Sequence, residues 1–283
     1  MTHVAVFTEQ KRLIVWKGRG EPAEFDTPIQ AGETVRQVAL AADKKRVLLA
    51  LHKRLVSVST DDGSELAHRP PRPRPTYLQN DPHFFSAVAF GTGWIAGGLA
   101  SAFGLTADLG VTDFSCPLEG GSFSLLVDGD SVLVGAGRGD LYRVRGKEIS
   151  AHTPLPTDQP LVLLASSPKR VSGVLATNEV VTWADPLHPR SLGPLAEVLA
   201  ITCDDDATYL LCGNGKLIRA DEQRLDLVQE WAVPLACATT LHGEFLAADH
   251  EGHLVRMSPA HPGKVLALLP IDAGRALVMG ATG

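Results

Sequence analysis

Three groupings of side chains in this sequence have the residue types that chemistry requires. His250 and His253 stand as His-x-x-His beside Asp249 and Glu251, which is the donor set of half a metal site. The pattern lies between apolar runs, hence on a hairpin and not on the helix that would stack two imidazoles one turn apart. No third ligand follows from the spacing, so these are expected to be exposed turn residues holding no metal. Asp204-Asp205-Asp206, with Asp128 and Asp130 farther back, offers carboxylates to a hard cation. Calcium takes roughly six to eight converging oxygens, and these turns belong to separate segments, so solvated turn carboxylates are expected. Gly135-Ala136-Gly137-Arg138-Gly139 is glycine-rich but runs into a strand, where a phosphate site needs a helix N-terminus. The tripeptide Arg138-Gly139-Asp140 is explained by the turn role of its glycine. Neither a Gly-x-Ser-x-Gly elbow nor an acid/base pair emerges, and the expectation is no catalytic residue and no cofactor.

A fourth grouping suits binding. His68 to Pro82 reads His-Arg-Pro-Pro-Arg-Pro-Arg-Pro-Thr-Tyr-Leu-Gln-Asn-Asp-Pro, a stiff extended stretch carrying Arg69, Arg72, Arg74 and Tyr77. His52-Lys53-Arg54 occupies a hairpin turn just before it. Together these seven residues would make a basic patch on a protein of net charge −6, suited to an acidic protein segment or a phosphate group. The plainer alternative is a surface insertion, residues 69–82, with ordinary solubilising charge.

The elements that must carry these residues are strands. Hydrophobic content of 45% with 20% charged residues is that of a globular protein, and no stretch has a sustained helical period. Phe84 to Ala107 is uncharged and long enough to span a membrane, but its five glycines favour two buried strands joined by a tight turn. The start of the sequence lacks the basic and apolar regions of a secretory signal, and Cys116, Cys203, Cys212 and Cys237 show no paired spacing. Reduced, buried thiols in a cytoplasmic protein are therefore expected.

Cys212-Gly213-Asn214-Gly215-Lys216-Leu217 reads as a strand end, a tight turn on Asn214-Gly215, where both residues tolerate positive φ, and a new strand. The same shape returns along the chain. Aligned on the first apolar residue after the turn, the copies fall at Leu13, Leu55, Leu105, Leu141, Val180, Leu217 and Leu254, with spacings of 42, 50, 36, 39, 37 and 37. That period is the period of four-stranded propeller blades. Continuous apolar runs such as Arg46-Val47-Leu48-Leu49-Ala50-Leu51 fit sheets covered on both faces. The expected fold is all-β, a seven-bladed β-propeller of four-stranded antiparallel blades in one domain over 1–283. Residues 4–27 supply three strands of the last blade, and 275–283 supply its innermost strand, closing the ring.

Trp16 and Trp183 stand three residues past the anchor, in Leu-Ile-Val-Trp-Lys and Val-Val-Thr-Trp-Ala-Asp. This resembles the Trp-Asp position that ends the third strand of WD-repeat proteins. The other copies place Val58, Asp108, Val144, Ala220 and Met257 there, and the Gly-His pair that precedes the family's first strand is missing. The resemblance, to a degenerate WD-repeat-like or quinoprotein-like propeller, therefore implies architecture over the whole chain but not the family's hydrogen-bonded tetrad. Bacterial propellers that accompany MoxR-type ATPases and von Willebrand A proteins are similar at this level.

Three functions compete. A non-enzymatic scaffold docking a protein partner on a propeller face fits the missing catalytic groupings and the basic loop. A hydrolase or lyase with its site in the central channel would draw residues from separate blades and leave no linear motif. Nucleic-acid binding through the basic loop is opposed by the net charge and by only 6% aromatic residues.

Overall fold

The computed structural model describes residues 3–18, 21–70, 84–118, 120–155, 157–183, 189–221, 224–269 and 274–282. These form seven four-stranded antiparallel sheets. Blade 1 holds β4 to β7 (Val35–Leu40, Arg46–Leu51, Leu55–Ser59, Glu65–Arg69). Blade 2 holds β8 to β11 (Ser86–Phe90, Gly93–Gly97, Ser101–Leu105, Val111–Pro117). Blade 3 holds β12 to β15 (Ser122–Asp128, Ser131–Ala136, Leu141–Arg145, Glu148–Thr153), and blade 4 holds β16 to β19 (Leu161–Ser167, Arg170–Leu175, Glu179–Trp183, Arg190–Pro194). Blade 5 runs from β20 to β23 (Val198–Cys203, Thr208–Cys212, Lys216–Ala220, Leu225–Glu230), and blade 6 from β24 to β27 (Leu235–Leu241, Glu244–Asp249, His253–Ser258, His261–Leu268). The closing blade joins β28 (Ala276–Thr282) to β1, β2 and β3 (His3–Thr8, Arg12–Lys17, Ala23–Asp26), in the order β28-β1-β2-β3.

Each innermost strand touches the innermost strands of both neighbours, so β4, β8, β12, β16, β20, β24 and β28 form a ring. The core is divided accordingly. Seven apolar clusters fill the seven seams, one between each pair of neighbouring blades. Val47, Leu49 and Leu51 face the closing blade, and Leu48 and Ala50 face blade 2. Alternate residues of one strand thus serve two seams, which is why these runs are apolar without interruption.

Two features differ from the sequence reading. The uncharged stretch from Phe84 to Ala107 holds three strands and not two, with Leu105 at the end of β10. The residue equivalent to Leu55 is Ala102: Leu51 N–H donates to Arg54 O in blade 1, and Gly98 N–H to Ser101 O in blade 2. The repeat anchor in blade 2 therefore lies three residues before Leu105. The recurring turn also differs. Gly215 is left-handed (φ 84°) but Asn214 is not, and Gly215 N–H donates to Cys212 O at 2.9 Å. Lys11 (φ 61°), Gly139 (78°), Asn178 (63°) and Gly252 (86°) take the same place in four other blades. This is the three-residue hairpin loop that ends in one left-handed residue, not the two-residue loop that needs two.

Candidate partner-docking site

The hairpin turns and the links between blades lie on one face. Glu9 N–H donates to Arg275 O (2.9 Å), His52 N–H to Thr34 O (3.0 Å), Gly213 N–H to Glu197 O (2.8 Å) and His250 N–H to Pro234 O (3.0 Å), each bond tying a turn to the link beside it. The innermost strands begin on this face, and their first residues are irregular in a repeated way. In blade 1 Val35 pairs with Leu51 and Gln37 with Ala50, leaving Arg36 as an extra residue. The same skip leaves Phe123 in blade 3, Val162 in blade 4, Leu199 in blade 5, Ala236 in blade 6 and Leu277 in the closing blade. Phe85 takes the equivalent place in blade 2, immediately before Ser86, which pairs with Gly97.

A bulge turns its extra side chain out of the ladder. Here it does so in six blades around the channel mouth, with Phe85 in the equivalent place in blade 2, while the residue before each of the seven positions is buried: Val35, Phe84, Ser122, Leu161, Val198, Leu235 and Ala276. The seven mouth residues are not buried, and Leu277 is 42% exposed. Six of the seven are apolar. Phe85 and Phe123 stack at 4.3 Å between centroids with 19° between their planes. Beneath them, Ala87 N–H donates to Gln37 Oε1 (3.1 Å) and Ser124 Oγ to the Leu161 carbonyl (2.6 Å), fastening neighbouring innermost strands just below the ring. The mouth is thus a rim of apolar side chains on a rigid support. Deeper in, the innermost strands carry one other charged residue, Asp128, at the far end of β12.

Of the residues expected to form a basic patch, Arg54 and Arg69 lie close together, since Leu55 pairs with Arg69, but their guanidiniums are engaged in different directions. Arg54 donates to Glu33 Oε1 at 2.6 Å and to Pro28 O at 2.9 Å, and its side chain is only 16% exposed. That hydrogen bond holds the Glu33 carboxyl below its ordinary range against the upward push of burial. Arg69 lies at the end of β7, where it donates to the Leu109 carbonyl (3.1 Å) and covers the Phe103 ring at 5.9 Å. Gln229 holds the same place in blade 5 and donates to Ser258 O and His261 O of blade 6, so both side chains pin the outer turn of the next blade. Lys53 is exposed and His52 half-buried; Arg72, Arg74 and Tyr77 lie outside the described residues.

Nor does the other chemistry converge. Asp249 is 1% exposed and accepts from Trp231 Nε1 (3.0 Å), His253 Nδ1 (2.8 Å) and the backbone N–H groups of Glu251 and His253. Burial pushes this carboxyl up, but the four hydrogen bonds and the adjacent imidazole outweigh it and hold its pKa below the ordinary carboxylate value. His253 therefore locks a turn, and His250 accepts from Arg275 at 3.1 Å. Asp128 and Asp130 pair with Arg143 and Arg145, and Asp204 caps its own turn through Asp206 N–H and Ala207 N–H. Among the described residues no three His, Cys, Asp or Glu side chains cluster as a metal site would require. A cleft of about 290 Å³ opens on the opposite face between blades 5 and 6. Both of its carboxylates are engaged, Asp204 by Tyr209 Oη (3.0 Å) and Glu244 by Arg256 (2.5 Å).

No family model and no curated protein sequence matches the chain. Solved structures match in number. A chain of the mitotic checkpoint complex aligns with a TM-score of 0.66 at 9% identity, over 90% of this chain and 86% of that one. BamB from Moraxella catarrhalis aligns at 0.58 and 12% identity (94% and 82%), and the Pan2 WD40 domain of Neurospora crassa at 0.62 and 12% (84% and 81%). What they share with this chain is the propeller fold. WD-repeat and quinoprotein-like propellers are both among the matches, as the Trp16 and Trp183 positions lead one to expect.

Proposed function

We propose that this chain is a non-enzymatic scaffold that docks a partner protein on its hairpin face, at the channel mouth. The observation that carries the reading is the ring of six apolar side chains and Arg36, turned outward by a bulge repeated around the channel. Apolar groups left partly exposed on a rigid frame, with an aromatic pair among them, have the composition of an interface centre. Among the structural neighbours, one is a chain of the mitotic checkpoint complex and another is BBS1 in complex with ARL6, so the fold serves assembly in those proteins. A channel enzyme would need acids, bases or nucleophiles facing one another. The innermost strands instead place their two charged residues, Arg36 and Asp128, at opposite ends. Four free thiols suit work in a reducing compartment such as the cytoplasm.

The test is affinity purification from the native host with wild type and with Phe85→Ser/Phe123→Ser, after matching thermal midpoints. The expected result is at least one protein recovered with wild type and lost with the double variant. Equal recovery of every protein by both would overturn the reading.

A further inference from the structure

Arg36 breaks the apolar ring, and how it breaks it says what the ring receives. It occupies in blade 1 the bulged position that is apolar in the other six blades, and it is exposed. Its guanidinium makes no hydrogen bond or ion pair with any described residue, whereas Arg54, Arg69, Arg143 and Arg145 are all engaged. The polar side chain beside it, Gln37, is already committed to the Ala87 N–H. Around the mouth Arg36 is flanked by Leu277 of the closing blade on one side and by the Phe85–Phe123 stack on the other. A cation on an apolar rim is poorly screened once a ligand covers it, and a guanidinium presents paired N–H donors that match a carboxylate.

We infer that the mouth recognises a partner segment in which an internal Asp or Glu is flanked on both sides by large apolar side chains. The inference rests on the docking function proposed above and adds the chemistry of the occupant. The carboxylate takes the free Arg36 guanidinium, one apolar neighbour packs on Leu277, and the other packs on the Phe85–Phe123 pair. A terminal carboxylate would fill only one of the two flanks. A nucleic acid would meet a single free cation in the ring on a protein of net charge −6, too little to neutralise a run of phosphates.

A random-peptide display library selected on the full chain provides the probe. Enriched peptides should carry Asp or Glu with large apolar residues within about three positions on each side. Their affinity, measured by fluorescence polarisation, should fall about tenfold with Arg36→Glu and with the peptide's Glu→Gln change, and the two losses should not add. Arg36→Lys should retain part of the binding, and Phe123→Ser should weaken it independently. Enriched peptides without a carboxylate, or an Arg36→Glu effect below about twofold, would overturn the carboxylate assignment while sensitivity to Phe123 left the docking site standing. Peptides insensitive to both Phe85→Ser and Phe123→Ser would overturn the docking site itself. Tighter, Phe123-dependent binding of single-stranded DNA than of any selected peptide would replace the inference with a nucleic-acid site.

Discussion

Gly280 tests whether β28 is a wedge that keeps the ring closed. On this strand Met279 faces blade 6, packing with Leu246, Ala248 and Leu254, while Gly280 faces blade 1. A Cβ built on Gly280 would lie 2.5 Å from the Val38 carbonyl oxygen and 3.1 Å from its carbon. A comfortable contact needs roughly 3.3 Å, so Gly280→Ala must push β28 and β4 apart by about 0.8 Å. The obstacle is backbone in a strand packed on both sides, and no rotamer change relieves it. Overpacking of this kind costs about 1–3 kcal/mol. For a chain of this size each kcal/mol lowers the thermal midpoint by roughly 2–4 °C, so calorimetry should record a fall of about 2–12 °C. Gly213→Ala is the control. Its Cβ would meet only the tip of the Glu197 side chain at 3.0 Å, which can swing away, and the midpoint should stay within about 2 °C of wild type. If Gly280→Ala melts with wild type, β28 is not seated against blade 1 and the closure described above is wrong.

Other expectations follow from the same structure. Met279→Ala leaves a cavity on the opposite side of the wedge and should cost about 2–5 kcal/mol in denaturant unfolding. Removal of residues 275–283 should abolish a cooperative melt, because β1 then keeps only β2 and its other edge is unpaired along its whole length; an unchanged midpoint would contradict this. Asp249, with its pKa depressed by folding, contributes stability above its unfolded value near pH 4 and loses it as pH falls through the folded value. Asp249→Asn should therefore cost about 1–3 kcal/mol at pH 7, with the gap to wild type narrowing below about pH 4 in urea titrations. Burial pushes the Cys116 and Cys212 thiols up to about 11 and Cys203 and Cys237 to about 12. At pH 8 all four should resist iodoacetamide in the folded protein and react on unfolding, as counted by mass spectrometry.

The blades were legible because turn residues and apolar runs are local signals that repeat. Leu105 looks like an anchor in the sequence because the true anchor, Ala102, is small and its turn residues, Leu99 and Ala100, are apolar too. The links that consume Arg54 and Arg69 were hidden for another reason. Glu33 lies 21 residues from Arg54 and Leu109 lies 40 from Arg69, and only the packing of links and blades brings each pair together. The ring at the mouth left the faintest trace. Phe123 and Val162 sit inside apolar runs and look like core residues, and one skipped ladder position turns each outward without altering composition. Arg36 was the exception: a lone charge within the otherwise uncharged strand Val35–Leu40 is a signal that sequence reading could have used.

The order β28-β1-β2-β3 also has a consequence for synthesis. β1 is made before every other described strand, yet its partner β28 emerges about 270 residues later. At roughly 5–20 residues per second the ribosome needs about 15–50 s to cover that distance. Throughout that time Val4, Ala5, Val6 and Phe7, all buried in the finished ring, present an unpaired apolar edge. Ribosomes that stall in the last blade would release chains with six blades complete and this edge open. Such products should adhere to one another or to holdase chaperones, so the cell's burden from this protein should scale with incomplete translation more than with its thermal stability.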